Sequence, residues 1–208
     1  MGTAIVWFRR DLRTCDNPAL LAATEQYEHV LPVFIWAPRE EEPWPPGAAQ
    51  RWWLHQSLER LADALYEDGS RLILRAGPSL EILRELVEES GAEAVFWNRL
   101  YDPVSRERDS GVKAALRDEG LEVRSSNGAL LFEPWTVETS DGSPYRVFTP
   151  FWKASSALGE PAMPLPAPAD LDFAQHELSA EPLESFRVRL SGLRHEGPLE
   201  VEYGIVWG

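Results

Sequence analysis

The sequence predicts an α/β fold: a doubly wound, five-stranded parallel sheet in strand order 3-2-1-4-5, with helices on both faces. Three observations predict it. Short apolar runs alternate with longer helical patterns through the first 125 residues. Those runs are continuously apolar rather than alternating, as strands buried on both faces require. The connections between them are short, which suits right-handed βαβ crossovers.

Each element follows from its own residues. Thr3–Phe8 (TAIVWF) is the first strand. Asp16 then supplies a capping side chain ahead of Asn17-Pro18, and a helix runs over Asn17–Gln26. Val30–Trp36 is the second strand, with Pro32 expected at its beginning or at a sheet edge because proline donates no ladder hydrogen bond. Arg39–Gly47 is a polar, proline-rich loop. It leads into a long helix, Ala48–Glu67, in which Trp52, Leu54, Leu58, Leu61 and Leu65 recur at helical spacing. Asp68-Gly69 stops that helix. Arg71–Arg75 is strand three, Ser79–Glu89 an amphipathic helix, and Ala92–Trp97 strand four. Val104–Glu119 is a helix and Leu121–Arg124 strand five. After about residue 126 the alternation ends. Phe148–Ala157 forms one short helix, Gly159–Asp172 is proline-rich linker, and Glu181–Gly208 holds an alternating VEYGIVW without a second core. Residues 1–158 therefore read as one α/β domain and 159–208 as linker and tail.

The composition narrows the function. Lys and Arg number 20 against 34 Asp and Glu, a net charge of −14. A free-standing nucleic-acid binder would need an electropositive face, so that class is disfavoured. Cys15 is the one cysteine. An intramolecular disulfide and multi-thiolate zinc are excluded, and no metal site is expected. No apolar run approaches the ~18 residues of a membrane span, and the apolar start is followed by arginines, the reverse of a signal peptide. Val6 stands where a myristoylation signal needs Ser or Thr. The sequence reads as cytoplasmic, with no membrane partner.

In such sheets ligands bind beyond the carboxyl ends of the strands, where strand order reverses. That crevice is expected between strands one and four, beside Trp7, Phe8 and Arg9 and beside Trp97, Asn98 and Arg99, with Trp36, Ala37 and Pro38 alongside. Tryptophan walls with arginines at hand suit a flat, conjugated, anionic ligand. The alternative is that these aromatics only cover the end of the sheet. The dense run Arg9-Arg10-Asp11-Leu12-Arg13 either locks its own loop through Arg–Asp pairs or meets a ligand. Neither G-x-G-x-x-G nor a P-loop occurs, no G-x-S-x-G elbow exists, and His29, His55, His176 and His195 fall in no H-E-x-x-H. His55 reads as a surface or packing residue. No nucleophile, base and oxyanion hole assemble, so no catalytic residue is assigned.

Six segments together resemble the DNA photolyase/cryptochrome family: Val6–Leu20 (VWFRRDLRTCDNPAL), Val30–Pro38, Arg51–Leu58 (RWWLHQSL), Val95–Asp109 (VFWNRLYDPVSRERD), Asn127–Trp135 and Pro144–Ala154 (PYRVFTPFWKA). They follow the family's order over about residues 3–158. The resemblance implies the amino-terminal α/β domain, whose role in the family is to hold a light-harvesting antenna chromophore. It implies a chromophore site built from Trp36, Ala37, Pro38, Arg51, Asn98, Asp102 and Arg106, with Trp7, Arg9 and Trp97 close by. Many relatives carry an acidic residue where Ala37 stands. Folate-binding relatives carry Asn-Glu in place of Val104-Ser105, which implies a deazaflavin or FMN antenna rather than folate.

In the family, FAD, the electron-transfer tryptophans and the groove for damaged DNA belong to a following all-helical domain. None of that domain's motifs occurs after residue 160. The resemblance therefore implies a light-harvesting module of a DNA photolyase, an enzyme family that splits cyclobutane pyrimidine dimers using light and reduced FAD. The helical FAD-binding domain is its expected partner and damaged DNA is reached only through that domain, while the present residues alone are expected to be inactive. A cryptochrome-type photoreceptor or interaction module is the alternative reading. A stand-alone nucleotide-binding protein is a third, opposed by the missing phosphate loop.

Overall fold

The computed structural model describes residues 2–168. The sheet has five parallel strands in the order β3-β2-β1-β4-β5. These are β1 (Thr3–Phe8), β2 (His29–Trp36), β3 (Ile73–Ala76), β4 (Ala94–Asn98) and β5 (Glu122–Ser126). Every residue of β1 and β4 is buried, which explains their unbroken apolar runs. Four helices cross between the strands: α1 (Pro18–Gln26), α2 (Ala48–Glu67), α3 (Ser79–Ser90) and α4 (Pro103–Asp118).

Alternate residues of β1 serve two separate cores. Ala4, Val6 and Phe8 pack against Leu20 of α1 and Leu58, Leu61 and Leu65 of α2. Ile5 and Trp7 pack on the other face against Leu83 and Leu86 of α3 and Val112 and Leu116 of α4. Full burial of each such side chain contributes about 1.5–3 kcal/mol. The sheet is thus covered on both faces, as the alternation requires.

Local departures have identifiable causes. Asn17 caps α1: its Oδ1 accepts from the Leu20 N–H at 3.1 Å, while Asp16 adopts φ 49°. Pro32 lies inside β2, a strand flanked by β1 and β3 and not at an edge. It is tolerated because the β3 ladder begins only at Val33↔Ile73, so at Pro32 the strand is paired on one side, with Val6. The third, fourth and fifth strands begin one or two residues later than the apolar runs alone suggest. In α2 the buried side chains are His55, Leu58, Leu61 and Leu65, and Trp52 is half exposed. His55 is a packing residue, with Nε2 3.2 Å from Glu59.

Beyond β5 the chain makes a short 3-10 turn at Pro134–Thr136, an isolated bridge between Glu138 and Pro144, and α5 (Phe148–Ala157). The proline-rich segment then returns to the carboxyl edge of the sheet. The Asp16 N–H donates to the Leu165 carbonyl at 2.8 Å, and the Leu165 N–H to Asp16 Oδ1 at 3.2 Å. The remainder of the linker and the tail, VEYGIVW included, lie outside the described residues. Among the described residues, no helix is long and apolar enough to cross a membrane.

Candidate functional site

Among the described residues, two cavities open at the carboxyl edge of the sheet. The larger, about 760 Å³, lies beyond the ends of β1 and β2, between the Pro38–Gly47 loop, the first turns of α2, and α4. The smaller, about 630 Å³, lies at the switch point between β1 and β4. The aromatic cleft expected at the switch point is therefore displaced by one strand.

Asn98 is the physical reason. Its buried Nδ2 donates to Asp11 Oδ2 at 2.6 Å and to Asn17 Oδ1 at 2.7 Å, and its Oδ1 accepts from the Ala19 N–H at 3.1 Å. Gly128 presses against it so closely that a Cβ there would lie 2.6 Å from Asn98 Cγ. Residues 161–165 close over the same place. The switch point is thus narrowed by a satisfied polar cluster that ties three segments together. The cavity there is lined mainly by loop and proline-rich residues rather than by the expected tryptophans.

The larger cleft is differently made. Trp36 closes the end of β2. Trp53, at the start of α2, and Trp44, in the proline-rich loop, stand 67% and 79% exposed and offer free aromatic faces. That loop is held from behind: Glu40 accepts from the Ser79 N–H at 2.7 Å and from the Ser79 hydroxyl at 2.6 Å, placing a carboxylate at the N-terminus of α3. The charged residues lining the cleft are Arg9, Arg10, Arg13, Arg108 and Glu41. Four cations against one anion make the lining positive within a strongly acidic chain.

The floor is a compact stack. Arg9 is buried; its Nη1 lies 2.5 Å from Asp109 Oδ2 and its Nη2 donates to the Asn98 carbonyl. Burial pulls the Arg9 pKa below its ordinary value, against the opposing pull of Asp109. Arg108 donates to the other oxygen of Asp109 from Nε at 3.0 Å and from Nη2 at 2.8 Å. Both guanidinium carbons lie over the Trp7 ring, at 4.8 Å for Arg9 and 5.4 Å for Arg108. Trp7 Nε1 is buried and, among the described residues, has no hydrogen-bond partner.

Of the residues expected at the site, Trp7, Arg9, Trp36 and Ala37 line this cleft. Trp97 is 1% exposed and meets Trp7 edge to face at 5.7 Å, beneath the cleft rather than in it. Asn98 belongs to the switch-point cluster. Pro38 opens the 3-10 turn behind the cleft wall. Arg51 is half-buried in α2 and off the lining, and Arg106 is exposed on the outer side of α4.

Asp102 caps α4, accepting from the Ser105 N–H at 2.9 Å, and lies 3.5 Å from Arg10. Burial pushes its carboxyl up, but the Ser105 N–H and Arg10 outweigh that and hold it below the ordinary value. Val104 and Ser105 are not among the residues lining the cleft.

Sequence reasoning missed Arg108, Trp44 and Trp53. Arg108 was legible in principle. Ser105, Asp109, Val112 and Leu116 mark the inward face of α4, and Arg108 adjoins that face whereas Arg106, two residues earlier, points away. Trp44 carried no periodic signal.

The chain matches the family model described as DNA photolyase over residues 4–169. It is 47% identical over 184 residues to a deoxyribodipyrimidine photo-lyase of Agrobacterium fabrum, covering 88% of this chain and 38% of that protein. It is 44% identical over 165 residues to cryptochrome-2 of Arabidopsis thaliana, covering 79% of this chain and 27% of the relative. The solved structure of a bacterial class III photolyase from Agrobacterium tumefaciens superposes with a TM-score of 0.84 at 44% identity, over 90% of this chain and 38% of that one. The chain thus spans well under half the length of these relatives.

Proposed function

The chain belongs to the DNA photolyase family, and from that premise we propose that it is the family's amino-terminal antenna-holding domain, which binds a light-absorbing heterocycle in the β1–β2 cleft. One observation carries the reading: aromatic faces at Trp36, Trp44 and Trp53 stand around a lining with four arginines and one glutamate. Flat conjugated rings stack on such faces, and guanidinium groups recognise an anionic tail. The donor set fits, since the arginines and the unpartnered Trp7 Nε1 all donate and Glu41 already faces Arg10 at 3.5 Å. When bound, the chromophore would absorb near-ultraviolet or blue light and pass the excitation onward.

Deazaflavin, FMN and reduced folate share the ring-plus-anion chemistry, and all three belong in the test. Purified protein incubated with each is expected to retain at least one, seen as a ligand absorption band that co-elutes with the protein. Failure of all three to bind overturns the reading.

Repair of pyrimidine dimers by FAD and light is proposed only for the complete photolyase, through a helical FAD-binding domain that would also contact DNA. Phe148, Phe151 and Trp152 on α5 suit the face of a partner domain, since they are 71%, 40% and 59% exposed. A cryptochrome-type interaction module is the second reading, favoured by the nearly equal identity to the plant cryptochrome. Light-driven repair of pyrimidine dimers by this chain joined to a helical FAD-binding domain separates the two.

A further inference from the structure

The four arginines of the cleft are not equivalent. Arg9 is spent inside the protein, on Asp109 and the Asn98 carbonyl, and is buried against the Trp7 ring. Arg10 and Arg13 stand at the rim, with side chains 56% and 38% exposed. Arg10 faces Glu41 and Asp102 only at 3.5 Å, so it remains free to meet an anion from solvent. Arg108 lies deep, 14% exposed, over the Trp7 ring. It commits Nε and Nη2 to one oxygen of Asp109, while Nη1 has no hydrogen-bond partner among the described residues. Because Asp109 also holds Arg9, its position is fixed twice, and the uncommitted edge of Arg108 is held in one place.

Accordingly we infer that Arg108, positioned by Asp109, reads a hydrogen-bond-accepting edge of the ligand's ring system at the bottom of the cleft, while Arg10 reads its anionic tail at the rim. Arg13 beside it is held by the Asp16 and Gly128 carbonyls. This rests on the antenna reading and adds an orientation: ring inward, tail outward. A buried guanidinium with one fixed edge favours a planar acceptor such as a ring carbonyl, which needs little reorganisation. Exposed arginines suit a phosphate or carboxylate, which keeps part of its hydration there.

Paired probes that differ only in the tail separate these roles. FMN is compared with riboflavin, and folic acid with pteroic acid, by fluorescence and calorimetric titration at low and high salt. For Arg10→Gln, the preference of the wild-type protein for the tailed member is expected to fall severalfold, with the tail-less member nearly unaffected. For Arg108→Gln, both members of a pair should weaken together, by tenfold or more, with the preference retained and little added salt dependence.

Arg108→Lys keeps the charge but loses the fixed edge, and should behave like Arg108→Gln. Asp109→Asn should do the same, because it releases Arg108. Circular dichroism and thermal melts report whether each variant is folded. If Arg108→Lys is folded and binds like wild type, position rather than charge is irrelevant and the inference fails. It also fails if Arg108→Gln removes the tail preference. If wild-type protein binds none of the four probes, the orientation fails; if deazaflavin and reduced folate are not retained either, the antenna reading fails with it.

Discussion

Residues 3–126 and residues 127–165 are built by opposite rules. In the first region the large apolar side chains fill two cores that share one sheet, with Trp44, Trp52, Trp53 and Tyr66, on α2 or the loop before it, as the exposed exceptions. In the second, Leu131, Trp135, Phe148, Trp152 and Met163 are all more than half exposed, and Val137 is the buried apolar residue there. Phe148 and Trp152 stack on each other at 6.1 Å, and Tyr145 meets Phe151 at 6.4 Å. The first region folds by burying its own surface. The second is held on it by polar contacts: Arg99 and Tyr101 to Glu133, Arg13 and Asn98 around Gly128, and Asp16 to Leu165. The difference teaches that, the tryptophans of the cleft apart, an apolar residue in this chain speaks of packing before residue 126 and, on the reading proposed above, of a partner surface after it.

The most forceful way to break that contrast is Trp97→Ala. If Trp97 belongs to the packed region, unfolding in denaturant should show a loss of about 3–5 kcal/mol, typical of buried aromatic truncation. A small loss with weakened ligand binding would instead make Trp97 a wall of the cleft.

Next come Asn98→Ala and Gly128→Ala, which attack the seam between the regions. The first leaves the buried Ala19 N–H without its acceptor, and the second drives a methyl group into Asn98. Each should cost about 1–3 kcal/mol by equilibrium unfolding, and the double variant should cost less than the sum of the two.

Smaller still is the pair Phe148→Ser with Trp152→Ser. These residues bury little here, so the melting temperature should move by no more than about 0.5 kcal/mol allows. The same pair should reduce association with a helical FAD-binding domain supplied in trans, measured by co-elution. A large loss of stability would return α5 to the packed region.

The smallest expected effect concerns pH. Asp102 has its pKa lowered on folding, so its contribution is present above the ordinary value of 3.8 and is lost as pH falls through the lower, folded value. Asp102→Asn should flatten the acid limb of a stability profile slightly while leaving the neutral plateau nearly unchanged.

How much of this could be read in the sequence depended on which force placed each residue. The bounds of β1 and α2 followed from apolar patterning, which burial sets, and the strand order from the common arrangement of doubly wound sheets. The helix α5 was legible as a short helix although Ser155 is its one buried residue. The Pro32 position was misjudged because sequence does not reveal that β3 starts beyond it. The β1–β4 crevice was expected from topology, yet one asparagine side chain and a returning segment distant in sequence line it in place of the tryptophans. Trp36, Trp7 and Arg9, expected through strand ends, do line the larger cleft. Trp44 and Trp53 line it too but have no periodic signature, and only a helix-face argument distinguishes Arg108, on the lining, from Arg106, off it.

The pairing of Leu165 with Asp16 has a consequence for anything covalently attached beyond residue 168. Measured from α5, such an attachment would trail on about ten residues of proline-rich tether, counted from Ala157 to Pro168. Pinned at Leu165, the tether begins at the rim of the smaller cavity and is shorter by the residues 158–165. Effective concentration rises steeply as a tether shortens, so a modest intrinsic affinity would suffice for stable docking. The strap sets the local concentration of whatever follows, beside the edge where the ligand is proposed to sit.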